Sequence, residues 1–296
     1  EAHWMAIHHG RVVAVGGAND EPPAARETAD LQGQTVIPGF YDAHCHTMWF
    51  GLSLGEVDTK SFPTLEALYD ALAERAAQTP PGQWVRATGY NQEAFGGEYP
   101  DIEVLDRVLP QHPLMMRHTS GHACIVNSRA LALAGLDGEV EIDGGAVVRD
   151  EYGRPTGLLE ERAQSIVQQV LLPESMDDMV AALGRASKRY SREGITSFTE
   201  TGIAAGWIGQ SPRELAAYQR AQAEGALVQR AQLMPVSDVL HPLAGHADDV
   251  DQIGMDTGMR SGFGDNRLQI GPMKIFLDGS MLAWTGAMSQ PFSAGP

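Results

Sequence analysis

The chain has 296 residues, of which 43% are hydrophobic and 20% are charged, so it is long enough to bury a large core and too apolar to be disordered. Its 21 basic and 38 acidic residues give a formal net charge of −17. This charge repels phosphate, which argues against nucleic-acid partners and anionic membranes. No apolar run has the length of a membrane span, and two cysteines are too few for a disulfide framework. We therefore expect a reduced, cytoplasmic protein.

The first part of the chain predicts three strands. Residues 6–17 indicate two short strands that meet at a His-Gly turn. Residues 35–46 are apolar and β-branched, with a break near Pro38 and Gly39. They predict a strand that runs into His46.

The middle of the chain alternates between helix-like and strand-like patterns. Helices are predicted where apolar residues recur on one face, and strands where short apolar runs stand between turn residues. In chain order these are a helix at 63–78, a strand at 84–90, a helix at 101–109, a strand at 114–118, a helix at 127–134 and a strand at 146–149. The last strand lies in a Gly-rich stretch that we interpret as a β-excursion rather than a domain.

The pattern becomes regular after residue 175. The predicted elements are, in order, a helix at 176–192, a strand at 195–200, a helix at 212–224, a strand at 228–236 and a strand at 268–277. Strands that alternate with helices at this spacing are typical of parallel βα units. The second half of the chain therefore predicts an α/β fold with a parallel sheet.

Two histidines stand at the end of the strand predicted over residues 35–46. Residues two apart in a strand point to the same face, so His44 and His46 should project together while Cys45 points away. Two imidazoles on one face supply half of a compact metal site, and Asp42 could orient one of them as a supporting carboxylate. The alternatives are a core or surface histidine pair without metal, and a turn-capping role for Asp42.

One lysine, Lys274, lies inside the last apolar strand, where burying an ammonium group is costly. It could extend its amine to solvent or pair with a carboxylate. The functional alternatives are an amine that gives up its proton easily, or a lysine modified to a carbamate. A carbamate is an anionic oxygen ligand that can bridge two divalent cations.

Several motifs together resemble one enzyme family. The run Pro-Gly-Phe-Tyr-Asp-Ala-His-Cys-His at residues 38–46 is similar to the first barrel strand of the amidohydrolase superfamily. Further stretches resemble its amidohydrolase family 3 branch, and they lie at residues 89–91, 120–123, 126–128, 154–160, 194–197 and 274–280. The resemblance covers essentially the whole chain. That branch consists of metal-dependent hydrolases and includes N-substituted formamide deformylases.

The resemblance implies a (β/α)8 barrel beside a small β-sandwich, with the active site at the C-terminal ends of the barrel strands. Residues 1–37 would then belong to the sandwich, and residues 38–296 would hold about the first four barrel strands, with a large insertion at about 60–190. The family has further metal ligands and a general-base aspartate after the fourth strand. We therefore expect a C-terminal half, absent from this sequence, to complete the barrel; a homo-oligomer is compatible with the sequence.

The resemblance also assigns roles to individual residues. His44 and His46 match the first-strand metal ligands, and Lys274 matches the lysine that is carbamylated and bridges two metals in related members. The implied cofactor is one or two divalent metal ions, with zinc expected. Lys274 and His122 are the implied catalytic residues.

The remaining candidates lie in or near the matching stretches. His122 would polarise a substrate carbonyl; the alternative is a structural histidine satisfied by backbone groups. Asn91 and Asp278 are implied as substrate-pocket residues. Surface or capping roles are predicted for three other acidic residues, Glu160, Glu161 and Glu200.

The expected reaction is the hydrolysis of an amide-like C–N bond, other than a peptide bond, in a small molecule by a metal-activated water. Two alternatives stay open. The same scaffold hydrolyses esters, lactones or phosphoesters, and a truncated barrel could bind a ligand or partner without catalysis. In a third, structural interpretation, His44 and His46 are core residues.

Overall fold

The computed structural model describes residues 2–120, 122–204, 211–243, 253–275, 277 and 287–290. The chain divides into two compact units, Glu1–Pro38 and Gly39–Pro296. The smaller unit contains an antiparallel hairpin of β1 (Trp4–His8) and β2 (Arg11–Gly16), where the sequence predicts one. The indole N–H of Trp4 donates a hydrogen bond to the Asp20 carbonyl oxygen at 2.9 Å, which ties the following turn to the hairpin.

The larger unit contains the remaining elements. Its strands are β3 (Phe40–Cys45), β4 (Val57–Asp58), β5 (Val85–Tyr90), β6 (Leu114–His118), β7 (Ala123–Val126), β8 (Gly145–Arg149), β9 (Pro155–Glu161), β10 (Ile195–Ile203), β11 (Arg230–Pro235), β12 (His241–Pro242), β13 (Ile253–Gly254) and β14 (Leu268–Ile270). Its helices are α1 (Thr47–Ser53), α2 (Leu65–Ala77), α3 (Ile102–Val108), α4 (Ser128–Ala134), α5 (Arg162–Leu171), α6 (Met176–Glu193) and α7 (Glu214–Ala223).

A four-stranded parallel sheet has the order β14-β11-β10-β3. Its register places Cys45, Glu200, Leu233 and Ile270 level with one another across the sheet. Since the strands are parallel, their carboxyl ends meet at one edge, where ligand sites of α/β folds lie. The fold is thus a mixed α/β fold with a parallel sheet. The assignment of these strands to a (β/α)8 barrel stays a prediction.

The predicted strand at 268–277 is only partly regular, because its ladder ends at Ile270. Pro272 follows, and proline has no N–H to donate to a ladder. Pairing resumes beyond it as a single parallel bridge between Val236 and Lys274. Lys274 therefore lies on an irregular continuation of β14 beside the end of β11.

One core lies between the parallel sheet and helices α1, α6 and α7. Its fully buried side chains include Leu183 of α6, Phe198 of β10, Tyr218 of α7 and Leu233 of β11. Helix α1 approaches α6 closely: a Cβ on Gly51 would lie 2.1 Å from the Ala182 carbonyl oxygen. A glycine is therefore required at this crossing.

A second sheet of six strands has the order β4-β5-β6-β7-β9-β8 and falls between β3 and β10 in the chain, where the sequence predicts an insertion. Successive side chains of its strands point to opposite faces of the sheet, and each face packs into a separate core. One face packs on α2 and α3 through Leu72, Leu105 and Met116. The other packs on α4 and α5 through Leu131 and Val167.

Among the described residues of the larger unit, the sequence-based assignment missed two helices and five strands. Helix α5 follows β9 directly, and only His46 separates β3 from α1, so neither helix is preceded by a turn motif. Strands β4, β12 and β13 have only two residues each, and β7 and β9 lie next to loop-like residues. Within the described part of the chain, no helix is long and apolar enough to cross a lipid bilayer.

Candidate metal-binding and catalytic site

His44 and His46 meet at the carboxyl edge of the parallel sheet. His44 is the penultimate residue of β3, and His46 is the residue that precedes α1. Their ring centroids lie 5.7 Å apart, with the ring planes nearly perpendicular at 86°. The His44 ring is exposed, and the His46 side chain is 31% exposed. The structure therefore brings the two imidazoles together, within reach of solvent.

A buried carboxylate stands behind His46. Glu200 is 1% exposed and lies in β10, the neighbour of β3. Its Oε1 is 3.3 Å from His46 Nδ1, and its Oε2 accepts hydrogen bonds from the Thr47 N–H at 2.6 Å and the Tyr218 hydroxyl at 2.6 Å. Sequence analysis gave Glu200 a surface or capping role. Glu200 does cap α1, but it is buried rather than on the surface, and it also contacts His46, a candidate metal ligand.

The residues around the histidine pair follow the predicted alternation. Cys45 turns away from the imidazoles and donates its S–H to the Thr199 carbonyl oxygen at 3.3 Å. Burial raises the pKa of the Cys45 thiol to about 12, so it stays protonated. Asp42 accepts a hydrogen bond from the His44 backbone N–H at 3.0 Å. This contact orients the backbone at His44. It matches the turn-capping alternative for Asp42, because the carboxylate reaches the backbone N–H and not the imidazole ring.

Lys274 approaches the same edge of the sheet. Its N–H donates to the Pro235 carbonyl oxygen at 2.8 Å, and its own carbonyl accepts from the Ser237 N–H at 2.8 Å. These bonds hold the Lys274 backbone beside the carboxyl end of β11, and its side chain is half-buried. Among the residues that the structure describes, no group of three or more His, Cys, Asp or Glu could hold a metal ion. Asp278 lies outside the described residues.

His122 lies on the other sheet, at the residue before β7. Its Nδ1 is 3.1 Å from Glu161 Oε2, and both side chains are more than half exposed. The Glu161 N–H also donates to the His122 carbonyl oxygen at 2.7 Å. Glu161 has φ 49°, a left-handed conformation that a glutamate seldom adopts. The structure thus forms an exposed His–carboxylate pair, and Glu161 was not foreseen as the partner.

Two further polar residues lie at the ends of β5 and β6. Asn91 Oδ1 accepts from the Glu93 N–H at 3.1 Å and so caps a short 3-10 turn. His118 Nε2 is 2.8 Å from Gln92 Oε1, and its Nδ1 accepts from the Ser120 N–H at 3.1 Å. Burial lowers the pKa of His118, which favours its neutral form. Asn91 and His118 thus both form local hydrogen bonds at the ends of these strands, and the assignment of Asn91 to a substrate pocket stays a prediction.

A second buried carboxyl group lies near Glu200. Glu214 is 4% exposed, and its Oε2 accepts from the Ala204 N–H at 2.8 Å, just beyond β10. Burial raises the pKa of Glu214 to about 8, against an ordinary 4.5, and the charge of Glu200 adds to this shift. Glu214 is therefore protonated in the folded protein at neutral pH.

This proton makes stability depend on pH. Between about pH 4.5 and about pH 8 the folded state keeps a proton that the unfolded state has lost, so stability decreases as pH rises through this window. We expect Glu214→Gln to remove this loss, since glutamine keeps an acceptor for Ala204. The advantage of the variant should grow with pH by at most about 1.4 kcal/mol per unit. Urea unfolding of the variant and of wild type at pH 5 and pH 8.5 measures this difference in stability. A difference that is the same at both pH values would contradict a protonated Glu214. The control is Glu103→Gln, a substitution at an exposed glutamate.

Comparison with known proteins relates this chain to the amidohydrolase family. A model of the amidohydrolase family matches residues 27–296. The Bacillus subtilis (strain 168) protein YtcJ is 29% identical over 274 residues, which are 91% of this chain and 48% of that protein. The N-substituted formamide deformylase of Arthrobacter pascens is 30% identical over 290 residues, which are 94% of this chain and 51% of that enzyme. The chain therefore spans about half the length of these curated relatives.

A solved structure has the same fold. It is the crystal structure of an uncharacterized metal-dependent hydrolase from Pyrococcus horikoshii OT3, which matches with a TM-score of 0.65 at 21% identity. The match covers 97% of this chain and 53% of that one. The likeness thus covers almost all of this chain and about half of the solved protein.

Proposed function

Because the chain belongs to the amidohydrolase family, we propose that it supplies about half of a metal-dependent hydrolase that cleaves amide-like C–N bonds in small molecules. The observation that carries the proposal is the pair His44 and His46 at the carboxyl edge of the parallel sheet, with their rings 5.7 Å apart. This edge is where βα folds place their catalytic groups. The parallel sheet would be the first four strands of a (β/α)8 barrel, which the rest of the protein completes.

The donor set fits a divalent ion of the zinc type. Neutral imidazoles are common zinc ligands, and His44 and His46 are both accessible from solvent. We propose that Lys274, as a carbamate, adds an anionic oxygen ligand from the continuation of β14, at the same edge of the sheet. When bound, such an ion lowers the pKa of water towards neutrality and polarises a carbonyl group. Asp42 contributes by fixing the backbone at His44.

The second sheet would supply the substrate contacts. We propose that His122, paired with Glu161, polarises the substrate carbonyl; donation to that oxygen requires the imidazolium form, because Nδ1 already faces the Glu161 carboxylate. Asn91 and Asp278 remain candidates for the pocket wall. Residues 1–37 would belong to a small β-sandwich, residues 38–296 to the barrel and residues about 60–190 to an insertion near the site.

The experiment uses the whole protein that contains this chain. Its metal content is measured by mass spectrometry after dialysis, together with turnover of a panel of formamides, other amides, esters and lactones. We expect one or two zinc ions per chain, and in the His44→Ala/His46→Ala double variant an occupancy below about a tenth of wild type. His8→Ala, an exposed histidine in the smaller unit, is the matched control.

The outcomes separate the alternatives. Retention of metal by the double variant would show that His44 and His46 are not the metal ligands. Turnover of esters or lactones with no turnover of amides would replace the proposed bond type. Absence of both metal and turnover in the wild-type protein would favour a binding function for the fold.

A further inference from the structure

The buried carboxylate of Glu200 has one oxygen that is fully occupied by donors. Oε2 accepts from the backbone N–H of Thr47 at 2.6 Å, from that of Met48 at 3.3 Å and from the Tyr218 hydroxyl at 2.6 Å. Backbone N–H groups can only donate. Tyr218 is fully buried, and burial raises its pKa well above the usual value, so its phenol keeps its proton and donates too.

Three donors on one oxygen favour the ionised carboxylate, which has no proton of its own to give. The other oxygen, Oε1, faces His46 Nδ1 at 3.3 Å. An ionised carboxylate can only accept, so the hydrogen atom of this contact must be on Nδ1. His46 then carries its lone pair on Nε2, and its side chain is 31% exposed.

We propose that Glu200 is a positioning residue that holds His46 in the Nδ1–H tautomer, so that Nε2 is the nitrogen offered to a metal ion. The tautomer itself follows from the contacts of Glu200, whereas the metal rests on the proposed function. A ligating histidine whose second nitrogen donates to a carboxylate has a fixed ring orientation and a more basic ligand nitrogen.

The two histidines of the pair are supported differently. Glu200 reaches the ring of His46, whereas Asp42 reaches only the backbone N–H of His44. The His44 ring is also exposed. His46 is therefore the pre-oriented member of the pair, and the support comes from β10 rather than from the strand that carries the histidines.

The decisive variant is Glu200→Gln, which has nearly the same shape. Its amide oxygen must face the donors from Thr47, Met48 and Tyr218, because the amide nitrogen cannot accept a hydrogen bond. The NH2 group is then turned towards His46 Nδ1 and requires an acceptor there. We expect His46 to change to the Nε2–H tautomer, with the proton on the nitrogen that a metal needs.

The experiment reads the tautomer and the metal affinity separately. The whole protein is labelled with 15N-histidine, freed of metal with a chelator and studied by NMR, with His46→Ala identifying the signal. We expect protonated Nδ1 in wild type and protonated Nε2 in Glu200→Gln. Competition with a zinc chelator should then show an affinity about 10–100-fold weaker in the variant. Thermal unfolding verifies that each variant is folded.

Two further variants sharpen the interpretation. Glu161→Gln changes the other His–carboxylate pair and should leave the His46 signal unchanged. Tyr218→Phe removes one donor from Oε2 but keeps Oε1, so it should preserve the Nδ1–H tautomer even if Glu200→Gln proves unstable. Protonated Nε2 in the wild type, or in the Tyr218→Phe variant, would overturn the proposal. The expected tautomers without zinc binding to wild type would overturn the proposed function and leave the positioning role of Glu200 intact.

Discussion

Replacing Phe198 by alanine is expected to lower the free energy of unfolding by about 3–5 kcal/mol. Phe198 is 0% exposed at the centre of the core between the parallel sheet and its helices. Its ring centroid lies 5.6 Å from that of Tyr190 and 6.5 Å from that of Tyr218. Alanine would remove the transfer energy of the ring and leave a cavity that the packed aromatic neighbours cannot close.

Urea unfolding of the variant and of wild type measures this loss. Phe263→Ala is the matched control, because Phe263 is 61% exposed, and its change should stay within about 0.5 kcal/mol. Equal losses in the two variants would show that the core around Phe198 is not packed as described.

Replacing Arg86 by methionine is expected to have an effect of similar size, by a different mechanism. Arg86 of β5 donates from both terminal nitrogens to Glu174, at 2.5 and 2.9 Å, and the Glu174 side chain is only 9% exposed. Methionine would leave the Glu174 carboxylate buried without its cation. Breaking a buried pair in this way costs about 3–5 kcal/mol.

The Arg86→Met/Glu174→Leu double variant separates the two contributions. Removing both charges together should restore most of the stability, because the cost lies in the uncompensated charge rather than in the lost attraction. Arg220→Met breaks two pairs on the surface, with Asp177 and Glu224, and should change stability by less than about 1 kcal/mol. A double variant no more stable than Arg86→Met would contradict this account.

The sequence-based prediction was accurate for elements that are determined by residues close together in the chain, and it failed where distant residues determine the element. The strand at 114–118 agrees residue for residue, because its apolar run and the turns around it are local signals. Helix α1 was missed, because His46 at its start makes no side-chain cap and the capping carboxylate is Glu200, 154 residues away. No local pattern contains that information.

The candidate site divides in the same way. The period of a strand was sufficient to predict that His44 and His46 share a face, which the ring geometry agrees with. Glu200 could have been noticed as an acidic residue near the end of a predicted parallel strand, but its donors come from α1 and α7. The position of Lys274 depends on the interruption at Pro272 and on a bridge to Val236, just past β11, which no local pattern in the sequence shows.

Two ion pairs formed by arginines of β5 and β6 also bear on the order in which the chain folds. Glu56 precedes β4 and Glu174 follows α5, so they stand where the chain enters and leaves the segment that holds the six-stranded sheet. They bind Arg117 of β6 and Arg86 of the adjacent β5, respectively. Both carboxylates line the same cleft. When this segment is folded, the two ion pairs therefore hold its two ends close together.

The strands β3 and β10 pair although residues such as His46 and Glu200 are 154 positions apart in the chain. Closing a loop of that length in a disordered chain loses entropy that grows with the logarithm of its length. The six-stranded sheet is built largely from neighbouring segments, so we expect it to form before β3 pairs with β10. Once the six-stranded sheet has formed, β3 and β10 are joined by a short effective loop. The segment that separates these two strands in the chain would then be the scaffold on which they pair.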